Sequence, residues 1–272
     1  MKTAIIIPCY NEETRINKSA FINFIQSSEN YHLCFVNDGS KDKTLDVLKG
    51  IQQTDQQKVS VIDMKRNSGK AAAVRAGARY LHTKSDIEHI GFIDADLSTD
   101  FEDFIALDDT LKRNATLKMV FGSRAKDNDG GGIKKDPLRA VFSKVIKMCV
   151  YLILGLPIQD TQCGAKVFKK ELIPVIYAKS FLSKWLFDVE LFIRLKKYMG
   201  GKTQVMQVIH EQALNRWVHV DDSKLGLKDS LEIPLRLMII WFNYNVLSLI
   251  PVAASVEESE VFAEIYPMPM AA

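Results

Sequence analysis

The chain has 272 residues, 47% apolar and 25% charged, which is enough to bury one large α/β core and excludes wholesale disorder. A net charge of +3 is too small to imply a nucleic-acid partner, and the basic residues are not interleaved with a stacking set of aromatics. The cysteines (Cys9, Cys34, Cys149, Cys163) show no C-x-x-C spacing. Cys9 and Cys34 fall within or at the ends of apolar strands, as small hydrophobes do, so a reducing compartment is the simpler expectation. The opening residues read as a short strand followed by acids and not as a signal peptide, so a cytosolic active domain is expected.

Residues 3–8 are a buried-strand pattern ended by Pro8, and Asn11-Glu12-Glu13 opens a helical stretch to about residue 28. A second strand, 31–36, ends in Asn37-Asp38-Gly39-Ser40, where Ser40 or Asp42 can cap a helix running to about residue 53. Strand 59–63 is followed by Asn67-Ser68-Gly69-Lys70, which leads into an Ala-rich helix to about residue 82. The apolar run from residue 89 ends in Asp94-Ala95-Asp96; then come a helix over 101–113 and a strand over 119–121 closed by Gly122-Ser123-Arg124. Strands alternating with helices imply parallel pairing and right-handed crossovers, which gather these polar clusters on one edge of the sheet. No G-x-G-x-x-G follows the first strand and no G-x-x-x-x-G-K-[ST] occurs, so a dinucleotide oxidoreductase or P-loop NTPase is disfavoured.

Asp94 and Asp96 lie two apart on an extended chain and so point the same way, where both could face one hard cation. A lone D-x-D is more often a solvated loop pair, so the weight falls on what surrounds it. The surrounding motifs are IIIPCYNEE at 5–13, VNDGSKDKT at 36–44, NSGKAAAVRAG at 67–77, DADLS at 94–98, GSR at 122–124, QCGAKVFKKE at 162–171, WLFDVE at 185–190 and WVHVDDSK at 217–224. In this order they resemble the family 2 glycosyltransferases of the GT-A fold, and residues 3–224 resemble the polyprenyl (dolichyl) phosphate hexosyltransferases. QCGAKVF with W-x-H-x-x-x-S-K is closer to the dolichyl-phosphate glucosyl branch than to the mannosyl one. The resemblance implies a Rossmann-like, mostly parallel sheet flanked by helices, with amphipathic helices at a membrane interface.

It also implies roles. Asp96 would bind Mg²⁺ or Mn²⁺ directly, with Asp94 reaching the ribose or the metal. Asp38 would hold the base in a pocket lined by Pro8, Tyr10 and Glu12, although before a helix it reads equally well as an Asx-turn residue. Lys70, at a helix start that favours phosphate, and Ser223 and Lys224 would bind the donor diphosphate, with Arg216 and His219 as neighbours. Arg124, Arg139 and Ser143 would bind an acceptor phosphate, for which the planar guanidinium fork is suited. Asp160, Gln162 and Lys166 would line the sugar and acceptor pocket. A general base is harder to assign: relatives often carry a carboxylate near position 164, where this chain has Gly, leaving Asp188 and Glu190 as candidates. Both also suit the positive end of the helix they adjoin. A phosphate acceptor, with a second pKa of about 6, needs no strong base.

Residues 125–137 are polar with three successive glycines, as in a surface loop or a lid, and 138–154 form an amphipathic helix suited to a core or to a bilayer interface. A strand is expected over 203–210 and a returning loop over 217–224. Residues 237–256 carry no charge, but Asn243, Asn245 and Pro251 argue for an amphiphilic helix on the membrane more than for a span. The expected layout is a catalytic domain over 1–224 (donor half 1–124, acceptor half 125–224), a membrane-associated helix over 225–256 and a mobile tail over 257–272. The function expected is an inverting, metal-dependent transfer of a hexose, glucose from UDP-glucose, to a polyprenyl phosphate at the cytosolic membrane face. Transfer to a saccharide or other soluble acceptor, or nucleotide-sugar binding without catalysis, are the competing readings.

Overall fold

The computed structural model describes residues 2–124, 137–216, 227–246 and 264–265, with side chains from 146 onward in the second stretch and from 232 onward in the third. Strands β1 (Lys2–Cys9), β2 (Tyr31–Asn37), β3 (Val59–Asp63), β4 (Ile87–Phe92), β5 (Met119–Ser123), β6 (Lys166–Lys169), β7 (Ile209–Ala213) and β8 (Glu264–Ile265) form one sheet in the order β7-β5-β6-β4-β1-β2-β3-β8. β1 pairs in parallel with β2 and β4, β2 with β3, and β5 with β7, as alternation with helices requires. β6 is the exception of consequence: it lies antiparallel between β4 and β5.

The strands are apolar on both faces because both faces are covered. Ile5 and Ile7 of β1, with Leu33 and Phe35 of β2, point into a core shared with helices α1 (Lys18–Ser27), α2 (Thr44–Gln52) and α4 (Phe101–Arg113). The alternate residues, Ala4, Ile6, Cys34 and Val36, point into the other core. That core is shared with α3 (Lys70–His82), α5 (Pro137–Leu154), α6 (Ile173–Ile176), α7 (Phe187–Met199), α8 (Lys202–Val208) and α9 (Leu227–Asn245). The result is a three-layer α/β sandwich, the mostly parallel architecture expected from the sequence. The carboxyl ends of β1, β2 and β4 and the amino end of the antiparallel β6 meet on one edge.

Two elements differ from expectation. Residues 11–17 are not helical: Asn11 sits at φ 51°, and the N–H of Glu12 donates to Thr44 Oγ1 (2.7 Å), that of Asn11 to Ser40 Oγ (3.0 Å) and that of Glu13 to Asp42 (3.2 Å). Bonds to the loop after β2 displace helical ones, and α1 starts only where Asn17 Oδ1 accepts from the Ala20 N–H. The strand expected over 203–210 is mostly helix α8. Gly200 (φ 87°) ends α7, and Val205 and Val208, three apart, bury one helical face before β7 begins at Ile209. The uncharged stretch 237–256, expected as an amphiphilic helix more than as a span, lies partly outside the described residues, and none of the described helices is long and apolar enough to cross a membrane.

Candidate active site

The edge where these strand ends meet holds a cavity of about 410 Å³. Pro8, Tyr10, Glu12, Asp38, Lys70, Asp94 and Asp96, all expected from the sequence to act together, line it. Arg15, Lys184 and Trp185 join them without having been expected there. A second cavity of about 400 Å³ adjoins it across Lys70, Lys184 and Trp185, and receives Arg124, Gln162, Asp188 and, from α9, Arg236.

Asp94 pairs with the Lys70 ammonium, which also lies over the Phe92 ring. Burial would lower the Lys70 pKa, but Asp94, Asp188 and Asp96 together raise it, so this lysine is held charged. Asp96 accepts from the Ser98 N–H (3.0 Å) and faces Arg15 at 3.9 Å, a guanidinium that also lies 3.6 Å from Glu12. The two carboxylates are 32% and 27% exposed, so both can reach a cation entering from the cavity. Among the described residues no three His, Cys, Asp or Glu side chains cluster to hold a metal. Two hard oxygen ligands at a cavity mouth suit Mg²⁺ or Mn²⁺ that completes its shell from a diphosphate and water, and do not suit a closed structural ion.

Asp38 is buried at the end of β2, and burial raises its pKa against the opposing pull of two amides. Its Oδ1 accepts from the Ser68 N–H and its Oδ2 from the Gly69 N–H, each at 2.7 Å. The Ala71 N–H donates to the Lys184 carbonyl. The start of α3 is thus largely satisfied by protein, so it offers an anion the Lys70 ammonium more than free amides. Gly69 (φ 94°) is required twice: by its left-handed backbone, and because a Cβ would press on Lys184 Cβ at 2.8 Å.

Arg124 and Asp160 form a forked pair, Nε to Oδ2 at 2.7 Å and Nη2 to Oδ1 at 2.9 Å, with the Arg124 N–H donating to the same carboxylate. Its side-chain hydrogen bonds to Asp160 raise the Arg124 pKa; in return the Asp160 carboxyl lies below its usual range, Arg124 outweighing burial. Lys166 is fully buried, donating to the Cys163 carbonyl and ion-paired with Asp188 Oδ1, each at 2.7 Å. Contrary to expectation, neither Lys166 nor Asp160 lines either cavity: each stands behind the partner that neutralises it, Asp188 and Arg124, and those partners line the second cavity. Asp188, raised by burial against the opposing pull of Lys166 and Lys70, does reach the second cavity. Glu190, the other expected acid, faces away and accepts from the N–H groups of Leu182 (3.1 Å) and Ser183 (2.9 Å). Arg139 and Ser143 lie on α5, where only the backbone is described; Ser223, Lys224 and His219 lie outside the described residues. Arg216 is held at its N–H by Asp103 (3.0 Å).

A model of glycosyl transferase family 2 matches residues 4–176, well over half of the chain. The chain belongs to glycosyl transferase family 2. It is accordingly an enzyme that transfers a sugar, as the motifs led us to expect. It is similar over 260 residues to the dolichyl-phosphate beta-glucosyltransferase of Saccharomyces cerevisiae (30% identity, 89% of this chain and 74% of that one). The enzyme of that name from Mus musculus is 30% identical over 235 residues, 82% of this chain and 69% of that one. Among solved structures, the fold is shared with Mycobacterium tuberculosis glucosyl-3-phosphoglycerate synthase, solved with Mn²⁺, uridine diphosphate and glucosyl-3-phosphoglycerate. That likeness has a TM-score of 0.64 at 15% identity and covers 99% of this chain and 88% of that one.

In this family 2 transferase, the glycine at 164 stands directly against Asp94. A Cβ at Gly164 would fall inside the contact shell of Asp94 Oδ2. The residue at the mouth of β6 is glycine because the carboxylate at the end of β4 fills the space. No acid can stand at 164 unless Asp94 moves.

Proposed function

We propose that this enzyme moves glucose from UDP-glucose onto the phosphate of a polyprenyl lipid, with inversion at the sugar carbon, at the cytosolic face of a membrane. The observation that carries this reading is the pair of adjoining cavities, one acidic at its mouth and one cationic, which meet at Lys70. The names of the similar proteins supply the glucosyl and dolichyl-phosphate terms.

The first cavity would take the nucleotide, with Asp38, Pro8 and Tyr10 around the base and Asp94 and Asp96 toward the diphosphate. Asp94 and Asp96 would hold Mg²⁺ or Mn²⁺, which as a Lewis acid neutralises charge on the leaving diphosphate. Lys70, released from Asp94, is placed to meet the same charge. An acceptor phosphate oxygen in the second cavity attacks the glucose C1; the bond from C1 to the diphosphate oxygen breaks, and its electron pair leaves with UDP. No proton has to be removed from the nucleophile, because the phosphate arrives ionised. That agrees with the wall of the second cavity, where Asp188 is paired to Lys166, and with position 164, where Asp94 occupies the space of a side chain. Positioning and fixed charge would do most of the work. Residues 1–224 would form the catalytic domain, with donor half 1–124, acceptor half 125–224 and residues 225–256 applied to the membrane. Exposed Met148, Tyr151 and Leu152 of α5 and Met238, Trp241 and Phe242 of α9 support that apposition.

The test incubates the full chain with Mn²⁺ or Mg²⁺, a polyprenyl phosphate and a panel of labelled nucleotide sugars. Label from UDP-glucose is expected in the lipid, and Asp96→Asn should reduce it at least 10²-fold. Label entering an oligosaccharide acceptor instead, with the lipid unlabelled, would overturn the proposal.

A further inference from the structure

The second cavity contains two cations that no sequence motif singled out. Lys184 lies on the loop before α7 and Arg236 on the second half of α9, fifty residues apart in the chain. With Lys70 and Arg124 they make the lining four cations to one carboxylate, and that carboxylate, Asp188, is already matched by the buried Lys166. Such a lining suits an anion. The two newcomers are not independently placed. Glu190 Oε1 accepts from the Ser183 N–H and Oε2 from the Leu182 N–H, fixing the loop that carries Lys184. The same Oε2 accepts from Tyr244 Oη (2.9 Å), which in turn accepts from Arg194 Nε (2.7 Å), fixing the end of α9. One buried carboxylate thus sets both walls.

Arg236 pairs with Glu232 one turn earlier, Nη2 to Oε2 at 2.8 Å, but both side chains are about half exposed, and such pairs hold an arginine weakly. A phosphate in the cavity can recruit it. Ile233 and Leu186 form an apolar part of the same lining, and beyond Ile233 the exposed face of α9 continues through Leu235, Met238 and Ile239. Cations inside and an apolar track leading out together fit an amphiphile with an anionic head.

We infer that Lys184 and Arg236 bind the phosphate of the acceptor, so that α9 is a wall of the active site as well as a surface element. This rests on the polyprenyl-phosphate reading above and adds to it the residues that grip the headgroup.

The experiment uses the full chain in detergent with farnesyl phosphate as a short acceptor, so that no anionic membrane is present. Lys184→Gln and Arg236→Gln are each expected to raise the acceptor KM about tenfold, and Arg236→Gln, which lines the second cavity alone, to leave the UDP-glucose KM within twofold, with Arg236→Lys recovering part of the loss. An unchanged acceptor KM in both variants, or a donor KM rising in step in Arg236→Gln, would overturn the inference while leaving sugar transfer intact. Calorimetric titration of farnesyl phosphate separates the two claims. Binding that is lost in Arg236→Gln supports the headgroup site even if no glucose is transferred, in which case the function proposed above fails alone. Wild-type protein that transfers glucose and binds farnesyl phosphate no better than Arg236→Gln refutes the site alone. Should Arg236→Gln weaken only the attachment to phosphatidylserine vesicles, its role is at the membrane and not in the cavity.

Discussion

At the scale of single residues, Gly164 and Asp94 are one decision. The carboxylate occupies the volume that any side chain at 164 would need. Gly164→Ala should displace the Asp94 carboxylate by about 1 Å and cost about 10²-fold in turnover, as such misplacements at a reacting centre do. The loss of stability should stay within roughly 1–3 kcal/mol, since the neighbour is a partly exposed side chain. Steady-state kinetics beside a thermal melt will check this; full activity would mean that Asp94 does its work from another position. Lys166 supports the same region from behind. Lys166→Met would leave Asp188 buried without its cation, and a destabilisation of roughly 3–5 kcal/mol in urea is expected.

At the scale of elements, α9 depends on a small polar cluster. Tyr244→Phe removes the hydroxyl that stands between Arg194 and Glu190, and should lower stability by roughly 1.5–3 kcal/mol, the range for hydrogen bonds to charged groups. Faster amide exchange at 182–185 should accompany it, because Glu190 also holds that loop; exchange confined to α9 would show that loop and helix are held separately. This cluster also marks where the sequence stopped being legible. The strands β1 to β5 could be read because each is an apolar run ended by a polar cluster, and the donor roles came from the resemblance of those clusters to the family's motifs. Residues 11–17 were misread because their partners lie about thirty positions on, at Ser40 to Thr44, which no local pattern reports. Lys184 and Arg236 were missed for the same reason. Nothing near either in the sequence shows that Glu190 brings them to one cavity, although Arg236 is the last charge before the uncharged remainder of α9, a signal that could have been followed.

At the scale of the whole molecule, the network around Asp108 ties the opposite edge of the sheet. Burial would raise its carboxyl, but bonds from His89, Lys112 and Thr3 outweigh that and lower it. A folded pKa below the unfolded one gives stability that is present above the ordinary carboxylate range of about 4 and lost as the pH falls below it. His32 acts earlier: burial lowers its pKa from 6.5 to about 4, so its neutral form is the folded one. Its contribution, up to roughly 3 kcal/mol, is complete above pH 6.5 and is lost as the pH drops toward 4. The urea midpoint should therefore fall in two stages on acidification. His32→Gln should flatten the stage between 6.5 and 4, and Asp108→Asn the stage below; a His32→Gln protein with the wild-type profile would assign the first stage to another group.

The antiparallel strand β6 has a mechanical consequence. By bonding to β4 on one side and β5 on the other, it joins the strands β1 to β4 to β5 and β7 in a single hydrogen-bonded ladder. Such a ladder leaves no hinge about which two lobes could swing. Substrates must then be admitted by segments outside the sheet, with the body of the enzyme rigid throughout turnover. Small-angle scattering of the protein with and without UDP and Mn²⁺ should give the same radius of gyration.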